Sequence, residues 1–191
     1  MWNEADLLQA VEVRVKKKRF LHIQGVITMA DKLAVRWQAD TVKARIAAVL
    51  HDYAKYENDQ ALLAYAKESA YTTNQAEEGN PQLLHGPVGA YLVQKHLGVD
   101  DPEILSAIAY HNFGKAKMSL LDKIIYLADA IEPGRAYPGV EDLREWAFED
   151  LDKAVLASVR QTIQFVLDKE EYLHPGSVAM WNDMIQEVKG R

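Results

Sequence analysis

Apolar residues recur every three or four positions along nearly the whole chain, and that spacing predicts helices. "DLLQAVEVRVKKKR" (6–19) reads as a first helix and "FLHIQGVITMADKLAVRWQ" (20–38) as a second. Asp40 is placed to cap a third, "TVKARIAAVLHDYAK" (41–55). A short helix follows over 59–69, and then "AYTTNQAEEGNPQ" (70–82), rich in turn formers, reads as a long loop. "GPVGAYLVQKHLG" (86–98) is helical up to Gly98, a residue suited to ending a helix. Asp101 and Pro102 open "EILSAIAYH" (103–111) as cap and first-turn proline. Ser119 and Asp122 have capping-box spacing ahead of "LLDKIIYLADAIE" (120–132), which Pro133-Gly134 closes. A long helix over about 150–172, a break at "HPG" (174–176) and a last helix from Ser177 complete the chain. With no alternating strand, repeat or low-complexity tract, the pattern predicts an all-α bundle. The length of 191 residues favours one domain spanning 1–191.

Composition narrows what such a bundle can do. There is no cysteine, so disulfides, zinc ribbons, iron–sulfur clusters and thiol nucleophiles are excluded, which fits a reducing cytoplasm. Any metal must be held by histidine nitrogen and carboxylate oxygen. The 28 acids against 22 Lys plus Arg give a net charge of −6, a poor basis for binding nucleic acid. The single basic run, "KKKR" (16–19), reads as a solvated helix face for Lys16 to Lys18. The N-terminal stretch carries acids and is not read as a secretory signal, and no apolar run approaches the ~20 residues of a membrane helix.

Against this background the titratable groups stand out. His22 sits within an apolar helix, His51-Asp52 at the end of the next, His85 just before a helix, His111 at the end of an apolar one, and Asp129 inside "IIYLADAIE". Each alone reads best as a satisfied core residue. Burying them separately would incur several desolvation penalties, whereas gathering them around cations removes the problem. The donors suit iron, manganese or another divalent first-row ion. Neighbouring helical residues point about 100° apart, so His51 and Asp52 can reach different sides of one site, and the aspartate's two oxygens can bridge two ions.

The order H…HD…H…H…D resembles the HD superfamily of metal-dependent phosphohydrolases. The strings "RFLHIQGV", "KARIAAVLHDYAK", "HGPVGA", "AIAYHNFG", "LDKIIYLADAIEPGR" and "YLHPGSVAMWN" narrow the resemblance to the YqeK family, bacterial symmetrical diadenosine-tetraphosphate hydrolases, over about 14–183. The resemblance implies an HD-domain helical bundle and a homodimer. Its implied chemistry is cleavage of a dinucleotide to two ADP by a metal-bound hydroxide at an inner phosphorus. It further implies one or two iron ions, with manganese or cobalt as substitutes. His22, His51, Asp52 and Asp129 would hold the first ion, with Asp52, His85 and His111 at the second position. Arg19, Lys55 and Arg135 become candidates for phosphate, and Tyr172, His174 and Ser177 for base and ribose, although "HPG" alone reads as a helix break. His22, His85 and His111 would also face the substrate. The pattern departs from the family at Ile23 and at Asn112-Phe113, which bear on substrate preference more than on metal. Two further readings share the site: hydrolysis of another nucleotide, and nucleotide sensing without turnover.

Overall fold

The computed structural model describes residues 3–190, which form eleven α-helices and no strand. They are α1 (Glu4–Glu12), α2 (Lys17–Arg36), α3 (Thr41–Leu50), α4 (Asp59–Glu68), α5 (Gln75–Gly79), α6 (His85–Leu97), α7 (Pro102–Tyr110), α8 (Leu120–Ile131), α9 (Val140–Glu149), α10 (Leu151–Asp168) and α11 (Pro175–Lys189). No helix among the described residues is long and apolar enough to cross a membrane.

The bundle is built around α8. An apolar helix face is stable only when it is covered, and Leu121, Ile124, Ile125, Leu127, Ala128 and Ile131 all lie in the core. Helices α2, α3, α7 and α10 pack on it. Their apolar stripes, among them Val26, Ala30 and Leu33 of α2 and Ala47 and Leu50 of α3, join one contiguous core running from Leu7 to Met184. Each fully buried leucine or isoleucine contributes about 1.5–3 kcal/mol relative to exposure. Polar residues inside this scaffold therefore need their own explanation.

The predicted caps form. Asp40 accepts from the amides of Val42 and Lys43, Asp101 from those of Glu103 and Ile104, and Ser119 pairs reciprocally with Asp122. Gly98 ends α6 at φ 66°, the left-handed region open to glycine.

Several boundaries differ from the sequence reading. The first two helices divide at 13–16, not after Arg19, because α1 exhausts its apolar face at Val11 and Val13 is exposed. Arg14 in this break donates to Tyr53 O and Glu57. The expected loop over 70–82 contains α5, opened by a capping box between Asn74 and Glu77, and a 3-10 turn over Pro81–Leu84. Helix α9 went unpredicted and is entered through Gly139 at φ 84°. Helix α10 ends at Asp168, and α11 begins at Pro175 with His174 as its cap.

Candidate metal centre and active site

Six side chains from five helices converge where α2, α3, α6, α7 and α8 meet. His51 and His111 are the C-caps of α3 and α7, His85 is the first residue of α6, and Asp52 follows His51. His22 comes from α2 and Asp129 from α8. The Nδ1–H groups of His51, His85 and His111 donate to the carbonyls three residues back, Ala48 O (2.7 Å), Gln82 O (2.5 Å) and Ile108 O (2.8 Å). Those bonds fix the tautomer and turn each Nε2 inward.

The inward atoms sort around Asp52. Its Oδ2 lies 3.1 Å from His51 Nε2 and 3.8 Å from His22 Nε2. Its Oδ1 lies 3.5 Å from His85 Nε2 and 3.9 Å from His111 Nε2, and those two nitrogens are 3.1 Å apart. His22 Nε2 is 3.0 Å from Asp129 Oδ1. Despite these approaches, the buried Nε2 atoms of His22 and His51 have no hydrogen-bond partner among the described residues; with the ring proton on Nδ1, each presents a lone pair to carboxylate oxygens that can only accept. A buried polar atom left this way costs about 1–3 kcal/mol. A cation repays that cost. Two triads, His22–His51–Asp129 and His51–Asp52–His111, each hold their donor atoms within 4.8 Å of one another. The donor set, all nitrogen and oxygen, fits a divalent ion.

The electrostatics suit the same use. Burial pushes the Asp52 and Asp129 carboxyls up, but the surrounding histidines, with Arg135 beside Asp129, hold both well below the usual range. Burial, then the positive charge of its neighbours, pulls His85 down to about 3 and His111 to about 4. Both are therefore neutral near pH 7, with lone pairs free for a cation. For His51 burial works downward, yet the two carboxylates prevail and its pKa is raised.

The sequence-predicted cations are placed unequally. Arg19 shares α2 with His22 and donates to Asp52 Oδ2 at 3.0 Å. Arg135 embraces Asp129, Nη2 to the carboxylate at 2.6 Å and Nε to its backbone carbonyl at 2.9 Å. The side chain of Lys55 makes neither hydrogen bond nor ion pair among the described residues, and burial lowers its pKa. Tyr172 is exposed and lines a cavity of about 400 Å³ together with Phe113, His174 and Ser177.

His174 and Ser177 are buried and already engaged. His174 Nδ1 accepts from Gly176 N, its Nε2 meets Glu77, and its ring stacks on Phe113 at 3.7 Å; Ser177 Oγ donates to Phe113 O. His174 also caps α11, and both side chains line the cavity of about 400 Å³ beside Tyr172. Of the departures, Ile23 is in the core, and Asn112 donates through Nδ2 to Leu83 O while its Oδ1 is buried with no partner among the described residues. A larger cavity, about 780 Å³, opens on His111, Asp129 and Arg135 and is walled by Tyr137 and Phe165. The sequence reading missed Glu132, whose Oε1 lies 3.1 Å from His22 Nδ1.

Comparison with known proteins adds to this geometry. The HD domain family model matches residues 19–134. The chain is 41% identical over 186 residues to the symmetrical bis(5'-nucleosyl)-tetraphosphatase of Bacillus subtilis (strain 168), covering 96% of this chain and 98% of that protein. It is 39% identical to the protein of the same name in Halalkalibacterium halodurans, covering 98% and 100%. A crystal structure from Clostridium acetobutylicum, described as a predicted HD superfamily hydrolase involved in NAD metabolism, superposes with a TM-score of 0.94 at 40% identity. The match covers 98% of this chain and 99% of that one.

Proposed function

The chain belongs to the HD domain family, and we propose that within it the protein is a metal-dependent hydrolase cleaving diadenosine tetraphosphate into two ADP. The observation that carries this reading is the division of labour at Asp52, one oxygen toward His51 and His22 and the other toward His85 and His111. Relatives named as symmetrical tetraphosphatases, matched over nearly their whole length, support the substrate.

His22, His51, Asp52 and Asp129 would hold one ion, and Asp52, His85 and His111 a second or the phosphates beside it. When bound, a divalent cation lowers the pKa of water toward neutrality and draws electron density from the phosphoryl group. We assign iron, with manganese and cobalt able to use the same donors. The chain's own residues do the rest. Lys55, unpaired and half-buried, and the free edges of Arg19 and Arg135 present positive charge to the phosphates. The 780 Å³ cavity beside Arg135 has the size and aromatic walls for one nucleoside. Water attacks one inner phosphorus, and the bridging oxygen departs with the other ADP. A homodimer belongs to the same proposal, as does a reducing cytoplasm, which a chain without cysteine suits.

Hydrolysis in oxygen-18 water tests the reading. Solvent oxygen is expected in one ADP of each pair. AMP plus ATP would overturn symmetrical attack. Adenosine and phosphate from AMP, with the tetraphosphate untouched, would show a mononucleotidase.

The phosphate roles separate by variant. Lys55→Ala should raise KM about 10–100-fold, the loss of a charge-assisted bond of about 1.5–3 kcal/mol, with metal content unchanged. Arg135→Ala should lower metal content too, because Arg135 grips Asp129. A Lys55→Ala enzyme with the parent's KM would remove Lys55 from the site.

A further inference from the structure

Four histidines aim Nε2 at the centre, and three of them are oriented by backbone. They stand at helix ends or after a 3-10 turn, where the ring can fold back so that its Nδ1–H reaches the carbonyl three residues before it. His22 has no such option. It lies inside the 20-residue α2, where the carbonyls of the preceding turn are already committed within the helix. Its ring must be oriented by a side chain.

Glu132 supplies one. It caps the end of α8, three residues after Asp129, and is buried with Oε1 3.1 Å from His22 Nδ1. Its other oxygen accepts from Gly134 N at 2.5 Å, and Arg144 Nη2 holds its backbone carbonyl at 2.8 Å. The carboxylate is thus fixed from both ends. Space for it comes from Gly25, one turn beyond His22: a Cβ there would lie 2.4 Å from Glu132 Oε2. Any other residue at 25 would displace the carboxylate.

We infer that Glu132 is a positioning residue for the metal centre, and that Gly25 is the cradle that admits it. By accepting the Nδ1 proton, Glu132 fixes the tautomer and ring angle of His22 and makes Nε2 a better donor to a divalent cation. This rests on the metal reading above.

The test is titration of the metal-free protein with Co²⁺, followed by its visible absorption, with thermal unfolding of each metal-free variant in parallel. Glu132→Ala is expected to weaken Co²⁺ binding about 10–100-fold, the usual cost of losing such a supporting partner. Glu132→Gln, which keeps an acceptor without charge, should fall between the alanine variant and the parent. Gly25→Ala keeps the carboxylate but pushes it off His22, and should weaken Co²⁺ although alanine favours the helix over glycine. Glu132→Ala decides the matter, and Gly25→Ala decides it if the former does not fold. Affinity within about twofold of the parent in the deciding variant overturns the assignment alone. A parent that takes up no Co²⁺ overturns the metal reading and this assignment with it.

Discussion

Asp52→Ala is expected to give a folded protein that fails to retain metal and hydrolyses diadenosine tetraphosphate at least about 10³-fold more slowly. Losing one electrostatic group in an active site already costs about 10²–10³ in rate, and Asp52 has more than one task. It is 1% exposed and, among the described residues, is the one carboxylate with an oxygen toward each pair of histidines. Removing it separates the two halves of the site. It also strips Arg19 of its carboxylate and His51 of its nearest anion. Asp52→Asn keeps the volume and one oxygen, and should recover little, because the amide carries no charge to balance a cation. Metal content by elemental analysis and the hydrolysis rate check both variants. A folded Asp52→Ala protein with the parent's metal content and rate would sink the assignment of ligands.

Much of this architecture could be read locally, and what could not has a physical reason in each case. The caps at Asp40, Asp101 and Ser119 were legible because a cap is a bond between a side chain and amides two or three residues on. The break before α2 was not, since "VEVRVKKKR" continues helix-forming residues and Arg14's partners lie some 40 positions away at Tyr53 and Glu57. Helix α5 carried its signal, Asn74 and Glu77 at capping-box spacing, but glycine, asparagine and proline on its far side masked it. The six candidate ligands were legible because each is an ionisable residue in an apolar stretch. Glu132 lacked such a mark. It sits among turn residues, and its task exists only where α8 ends against the middle of α2. Arg135 was found, yet its grip on Asp129 depends on the turn at Pro133-Gly134 folding the guanidinium back. For His174 the helix break was legible as the cap of α11, whereas the cavity that His174 and Ser177 line is assembled from segments far apart in the chain.

The metal-free protein is expected to lose stability as pH falls from about 6.5 toward 4. His85 and His111 fold with pKa values of about 3 and 4, against 6.5 when free, so the unfolded chain binds protons that the native state refuses. Stability from this source is complete above about pH 6.5 and is lost on acidification, at about 1.4 kcal/mol per pH unit for each group. The two rings touch, so their joint effect is on the order of 2–4 kcal/mol by pH 5. His51 does not offset it. Its raised pKa contributes stability that is fully present below 6.5 and is lost only as pH rises. Asp52 and Asp129, held low in the fold, weaken it only below about 3.8. Urea midpoints of the chelated protein between pH 7 and 4.5 should therefore fall steadily with acid, and the fall should be about halved in His85→Gln. A midpoint that stays flat between 6.5 and 4.5 would show that these rings are not held neutral by burial. Saturating metal should raise the neutral-pH stability by about 4 kcal/mol at 1,000 times Kd. That gain should shrink in acid, because a proton competes with the cation for Nε2 of His51, whose pKa is raised.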